Sequence, residues 1–319
     1  LEARLNNFEA GGFSDTTTAS FTTEAILGGI STDLDTLVVG SEAVSLDYQY
    51  QIGLTSSFTG EDSLDVVIDA GNGSFSATSI LMDMDTTFDV LVIDGITYTF
   101  PVGGATMIVG DTTDISASYT GACAYSGFVD YITDCGTGNS VGVGGADNGV
   151  AVSASYAFDG GFSIAGGVSS PAVELVGAGD DIFGIEAAYT ADDYGVSVAF
   201  SDVETATFIG VNGFYAFDFA TVSAGYETSD IDDVDDDTSA FFVGLTKEVG
   251  PGTAEIGYAS TDMDPLELGD FMDVGTAYVY EASYAYPVND ALTITPGIAI
   301  IDIDAGETTV AAVKATFSF

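Results

Sequence analysis

Histidine and tryptophan are absent from this sequence, cysteine occurs twice, and only Arg4, Lys247 and Lys314 carry positive charge against 50 acidic residues. Each absence removes a class of function. Without histidine there is no triad, no imidazole base and no histidine-ligated zinc. The carboxylates are too numerous for one pair to stand out as an acid and a base, so no catalysis is expected. Three cations cannot neutralise a run of phosphates, which excludes nucleic acid as a partner. Long apolar runs are missing too: nothing approaches the roughly 18 consecutive apolar residues of a membrane helix. Cys123 and Cys135 lie 12 residues apart in a glycine-rich segment, and they make neither a four-ligand zinc site nor a CxxC redox pair. They are read as a disulfide clipping one loop, which implies an oxidising compartment; two free buried thiols are the alternative.

What is present pulls in two directions. A formal charge of −47 usually accompanies disorder or halophilic solubility. Yet mean hydropathy is +0.34 and 46% of residues are hydrophobic, too apolar for a disordered tail. A chain that is apolar on average without apolar runs must alternate, and alternation is the mark of strands with one greasy and one wet face. The 40 glycines, 16 tyrosines and 21 phenylalanines suit turns, strands and aromatic girdles.

Residues 1–12 differ from the rest. Leu1, Leu5 and Phe8 follow the four-then-three spacing of a heptad seam, and are read as the end of a coiled coil or linker, with a frayed amphipathic turn as the alternative. The chain starts at Leu1 without a signal peptide, which predicts a processed product. Residues 13–319 are read as one unit. In Ala43 to Leu54, the residues Val44, Leu46, Tyr48, Tyr50, Ile52 and Leu54 share one face, and Ser45, Asp47, Gln49, Gln51 and Gly53 the other. In Asn148 to Phe158, Val150, Val152, Ala154, Tyr156 and Phe158 oppose Ala151, Ser153, Ser155 and Ala157. Tyr278, Tyr280, Ala282, Tyr284 and Tyr286 likewise oppose Ala277, Val279, Glu281, Ser283 and Ala285.

Tight links near Asp159-Gly160-Gly161, Asp192-Asp193, Asp218, Val249 to Gly252 and Pro287 to Asp290 recur roughly every 26 to 38 residues, the length of two membrane strands plus a turn and a loop. The rhythm predicts an all-β, transmembrane antiparallel β-barrel of about 16 strands, the first near 17–28, the fourth near 88–100 and the last near 307–319. Its longest loop, the third, spans about residues 112–147 and holds both cysteines. Because a barrel this wide cannot fill its own lumen with side chains, that loop is expected to fold inward as a constriction; an outward lid is the alternative. The chain ends on an alternating strand closed by Phe317 and Phe319, as outer-membrane barrels commonly do.

Several short matches occur in order along the chain: Leu1-Glu2-Ala3-Arg4-Leu5, Phe13-Ser14-Asp15-Thr16-Thr17-Thr18, Ser56 to Asp62, Ile96 to Gly103, and Ala154-Ser155-Tyr156-Ala157-Phe158. Through them the whole chain resembles cyanobacterial outer-membrane porins of the carbohydrate-selective OprB-like family. The resemblance implies an outer-membrane homotrimer, contact with outer-membrane lipid, and attachment to peptidoglycan through an N-terminal surface-layer-homology domain missing from this chain. Members of that family carry far more lysine and arginine, so their sugar or anion preference does not carry over.

Charge sets the expected chemistry of the lumen. Asp47, Gln49, Gln51, Glu186, Glu255 and Glu281 fall on polar rows of strands, and Asp111, Asp114, Asp130 and Asp134 lie in or beside the 112–147 loop. Rings of carboxylates attract cations and repel anions, so these residues are expected to line a pore for small hydrophilic solutes and inorganic ions that favours cations. Only nearby carboxylates count, because the Debye length is about 8 Å at about 0.15 M salt. Asp232, Asp233, Asp235, Asp236 and Asp237 crowd one further segment. Counted from Asp230 it lacks the glycine and glutamate of an EF-hand, so it reads as a solvated acidic loop. No tightly held cofactor or metal is expected, loosely bound calcium or magnesium being the exception. The rival readings are an acidic calcium-binding β-sandwich of surface or adhesion type, and a halophilic soluble protein. Both would dissolve without detergent, and neither calls for aromatics along outward faces.

Overall fold

The computed structural model describes residues 17–33, 43–73, 77–113, 115–130, 133–142, 149–171, 175, 177, 181–203, 205–232, 238–262, 276–304 and 306–318. The alternating segments become β1 (Thr17–Thr32), β2 (Ser45–Ser56), β3 (Ser63–Gly71), β4 (Val92–Val102), β5 (Ala105–Asp111), β6 (Val150–Ala157), β7 (Phe162–Ser170) and β8 (Ile182–Thr190). They continue as β9 (Tyr194–Val203), β10 (Ala206–Phe217), β11 (Ala220–Ile231), β12 (Thr238–Val249), β13 (Gly252–Thr261), β14 (Ala277–Asn289), β15 (Leu292–Ile303) and β16 (Gly306–Ser318). Each strand pairs antiparallel with its neighbours in sequence, and β1 closes the ring on β16 with Thr22 opposite Ser318 and Ile26 opposite Lys314. A closed ring of sixteen strands has no free edge, and it is not the two-sheet sandwich of the rival reading.

Alternation located all sixteen strands. The fourth begins at Val92 rather than near 88, because Phe88 and Asp89 hold left-handed backbone (φ 54° and 63°) that cannot continue a strand. At one end of the barrel every connection is short, including the two-residue turn Gly103-Gly104. Both of those glycines have positive φ (59° and 94°), as a tight hairpin turn requires. The other end mixes the long connections 72–91 and 112–149 with the brief 204–205 and 304–305.

Outward rows are apolar and bare: Ile256, Ile185 and Ile209 are 60%, 57% and 53% exposed. Near the short-turn end an almost continuous chain of aromatic rings runs from β6 to the turn after β10. Its spacings are 4.7 Å for Tyr156 to Phe158, 4.6 Å for Phe162 to Tyr189, 5.7 Å for Tyr189 to Tyr194 and 4.5 Å for Tyr215 to Phe217.

The hydrophobic core sits inside the barrel. Inward-facing Ile26, Phe242, Val279, Ile301 and Val310 pack against Leu81, Met82 and Met84 of the 72–91 loop and against Phe128, Val129 and Cys135 of the third loop. Burying a Val, Ile or Phe side chain contributes about 1.5–3 kcal/mol, enough to hold the loops in. The expectation that the face opposite the lipid row meets only water is therefore corrected: Val279 is fully buried under loop residues.

Candidate functional site

The third loop enters the lumen and follows the inner wall strand by strand. Ile115 in the turn Ile115–Ser118 is buried with Ile182 of β8. The Thr120 and Gly121 amides then donate to Glu186 of β8 at 2.7 and 2.8 Å, and the Ala122 amide to Asn212 of β10 at 3.2 Å. The Ala124 amide meets Ser223 Oγ of β11 at 3.3 Å, and the Ser126 amide meets Glu255 of β13, also at 3.3 Å. At β14, Glu281 accepts from Tyr125 Oη at 2.7 Å, from the Phe128 amide at 3.1 Å and from the Val129 amide at 3.0 Å. On the return path Glu227 of β11 accepts from the Ser140 amide at 2.5 Å and from Asn139 Nδ2 at 2.9 Å. Ser201 of β9 donates to the Asn139 carbonyl at 3.0 Å.

Carboxylates suit this task because loop backbone brings unpaired N–H groups into a low-dielectric space. A charged acceptor makes each bond about twice as strong as a neutral one. Small residues on the inner rows make room. A side chain at Gly225 would bring its Cβ within 2.0 Å of the Cys135 carbonyl oxygen, and one at Gly297 within 2.4 Å of the Phe128 ring. Cys123 and Cys135 form a disulfide, with Cα atoms 5.7 Å apart, that ties the outgoing limb of the loop to the returning one.

The third loop covers the wall from β8 to β15, and a cavity of about 490 Å³ remains against β1 to β4. Its lining is acidic: Glu24, Gln49, Gln51, Asp69 and Asp94 from the strands, and Asp83 and Asp85 from the 72–91 loop. Gln49 bridges the two layers, donating to Glu24 at 3.0 Å and accepting from the Asp85 amide at 2.8 Å. Burial and the neighbouring carboxylates of Asp69, Asp94 and Asp83 push the Asp85 carboxyl up to about 7. Burial, with Asp83 and Asp134 beside it, pushes Asp130 up to about 6. The one inward-facing cation among the described residues, Lys314, lies 3.7 Å from Glu24. Lys247 lies on the outward row with Ala254 and Tyr284.

The expected site residues separate into groups. Gln49 and Gln51 line the cavity. Asp47 is buried on an inward row opposite Ile26 and accepts from Ser45 Oγ at 2.6 Å. Glu186, Glu255 and Glu281 face inward but hold the third loop. Asp130 and Asp134 belong to that loop, and the Asp134 carbonyl accepts from Asn212 Nδ2 at 3.3 Å. Asp111 is a correction. It pairs with Val150 and Ile96 on the outward row, because β5 is in register with β6 and places Gly110 on the inner side instead. Asp114, Asp233, Asp235, Asp236 and Asp237 lie outside the described residues, while Asp232 is exposed and donates its amide to the Thr205 carbonyl at 2.8 Å. The coiled-coil reading of residues 1–12 also lies outside them.

Sequence reasoning missed Glu227, Glu24, Asp69, Asp83, Asp85 and Asp94. Glu227 and Asp69 carried a readable signal, since each is an acid on an inward row directly after an outward apolar residue, Tyr226 and Ile68. Asp94 did not. It is the extra residue of a β-bulge, where Val67 and Ile68 pair with Gly95 and Ile93, and the bulge turns it inward against the alternation.

No protein-family model matches the chain, and no curated protein is similar to it in sequence. Similarity appears at the level of the fold. A loop-deletion mutant of OmpT, an outer membrane protein of Vibrio cholerae, superposes with a TM-score of 0.64 at 11% identity, covering 96% of this chain and 100% of that one. A mutant of Rh. blastica porin superposes with a TM-score of 0.60 at 16% identity over 95% of this chain and 100% of that one. A second mutant of the same porin, with other substitutions, gives 0.59 at 16% identity over the same shares of the two chains. The barrel of this chain therefore has the fold of bacterial porins.

Proposed function

We propose that the chain is an outer-membrane channel through which small hydrophilic solutes and inorganic ions diffuse passively, with preference for cations and without catalysis. The observation that carries this reading is the charge of the open lumen. Five carboxylates, from Glu24, Asp69, Asp83, Asp85 and Asp94, border the cavity against β1 to β4, and Lys314 is already matched to Glu24. The bare apolar rows and the aromatic chain support contact with outer-membrane lipid, since Tyr and Phe settle at the level of the headgroups.

The constriction is the third loop, residues 112–147, stiffened by the Cys123–Cys135 disulfide. Asp130 and Asp134 stand beside the passage. A homotrimer, attachment to peptidoglycan through sequence N-terminal to the barrel and a cyanobacterial source rest on the family resemblance. Loose binding of calcium or magnesium at the acidic segment 230–237 rests on composition alone. Reversal potentials in a planar bilayer under a KCl gradient test the central claim: a potential set by potassium supports it, and one set by chloride overturns it. Dissolution as a monodisperse species without detergent would overturn the membrane assignment.

A further inference from the structure

We propose that Asp69 and Asp85 form a binding site for one hydrated divalent cation, magnesium or calcium, on the wall of the lumen that the third loop leaves uncovered. The inference deepens the channel reading and rests on it for the route by which the ion arrives. Its starting point is Asp69. The residue lies on the inward row of β3 opposite Gln51, is 5% exposed, borders the cavity, and has an Oδ1 atom with no hydrogen-bond partner among the described residues. A carboxyl oxygen buried without a partner is costly, and native structures satisfy such groups with water or an ion.

Asp69 does not stand alone. Its carboxyl lies beside that of Asp85, carried by the 72–91 loop, and a proton or a cation relieves the repulsion between two adjacent carboxylates. Negative surroundings favour any cation, the proton included: burial and the neighbouring carboxylates hold the Asp85 carboxyl up to about 7, so near pH 8 most of the proton is gone and the pair is open to a metal cation. Asp94 of β4 and Asp83 of the same loop face the pair, Glu24 of β1 borders the cavity with its charge met by Lys314 of β16, and Asp130 of the third loop stands next to Asp83. A proton supplies one positive charge to this group. A divalent ion supplies two, and its arrival releases any proton that remains.

The geometry also says what kind of binding this is. Among the described residues no three acidic or sulfur side chains converge tightly enough to enclose a metal ion, so a cation stripped of water is not expected. Magnesium in particular keeps most of its water and is held through one or two carboxylates. A cavity of about 490 Å³ has room for a first hydration shell, since a water occupies about 30 Å³ of liquid volume. The site thus suits an ion that rests in the passage and exchanges, rather than one locked in a cage.

Manganese is a spectroscopic probe for such a site. The full chain in detergent, titrated with Mn²⁺ and followed by the loss of the free-ion EPR signal, is expected at pH 8 to retain one ion per chain more than Asp69→Asn does. That ion is displaced by Mg²⁺ and released at pH 5. Asp85→Asn, in a loop outside the sheet, gives the same loss without touching a strand, and heat-modifiable gel migration checks that both variants remain folded. In bilayers, MgCl₂ is expected to reduce the K⁺ conductance of the wild type at concentrations at least threefold below those that affect either variant. Equal Mn²⁺ retention by the folded variants and the wild type overturns the site. Reversal potentials in magnesium-free KCl keep the two readings apart. Cation preference with equal retention sinks the site and leaves the channel standing, whereas anion preference with retention lost in both variants supports the site and sinks the selectivity.

Discussion

Removing the Glu281 carboxylate tests whether the third loop is fastened to the wall one strand at a time. In the wild type this one side chain accepts from Tyr125 Oη at 2.7 Å and from the Phe128 and Val129 amides at 3.1 and 3.0 Å. Glu281→Ala leaves two buried amides and a phenol without an acceptor, at about 1–3 kcal/mol each. Water from the lumen replaces part of this, so a net cost near the lower end, about 3 kcal/mol, applies to docking of this stretch. At 1.4 kcal/mol per factor of ten, that is roughly a 100-fold shift toward a lifted segment. Glu186, Glu227, Asn212 and the disulfide still hold the rest of the loop, so the change stays local. Hydrogen exchange on the variant in detergent is expected to show protection of the Phe128 and Val129 amides falling about 100-fold, with Thr120 and Gly121 unchanged. Single-channel records are expected to show higher, noisier conductance. Glu281→Gln, which keeps one acceptor oxygen but sets an amide NH₂ against an N–H, lies between. Unchanged exchange at Phe128 and Val129 together with unchanged conductance would refute the clamp.

Reducing the disulfide, or replacing Cys123 and Cys135 with serine, costs up to about 3 kcal/mol of loop order by chain entropy. It is expected to raise conductance noise while the barrel stays folded on gels, and unchanged conductance counts against the constriction. Cation preference is expected to weaken as pH falls from 8 to 5. Asp85 and Asp130, raised to about 7 and about 6, gain protons in that window and lose charge; reversal potentials at low salt that stay constant across it would contradict their place at the passage. Ile256→Arg, mid-strand on the outward row and 60% exposed, is expected to destabilise the folded barrel in lipid by about 2–4 kcal/mol, read by urea unfolding in vesicles. A neutral result there would argue against a lipid-facing row. Gly225→Ala drives a Cβ to 2.0 Å from the Cys135 carbonyl, so it is expected to displace the returning limb of the loop and raise exchange at the Ser140 amide, which donates to Glu227.

The outer surface was legible residue by residue. Tyr278, Tyr280 and Tyr286 were read as one row, and they are half-exposed on the outside with Glu281 and Val279 on the inside. The closing disulfide and the inward turn of the third loop also followed from sequence, one from two cysteines with no other use, the other from the width of a lumen that side chains cannot fill. The roles of the inner acids did not follow. Glu186 and Glu281 were read as facing permeating ions, yet loop amides occupy them, because a residue's row says which side it faces and nothing about what reaches it from residues more than 60 positions away in the chain.

The sequence alone determined the strands, most of their rows and the sign of the charge. A strand's side chains alternate with a period of two whatever their neighbours do, and 50 acids against 3 bases leave no choice of sign. Only the tertiary structure decided which part of the inner wall is covered, which acids become fasteners, and that a bulge carries Asp94 into the cavity with Asp69 and Asp85. Those outcomes depend on contacts between distant segments, and such contacts exist only once the ring has closed and the loops have found space inside it.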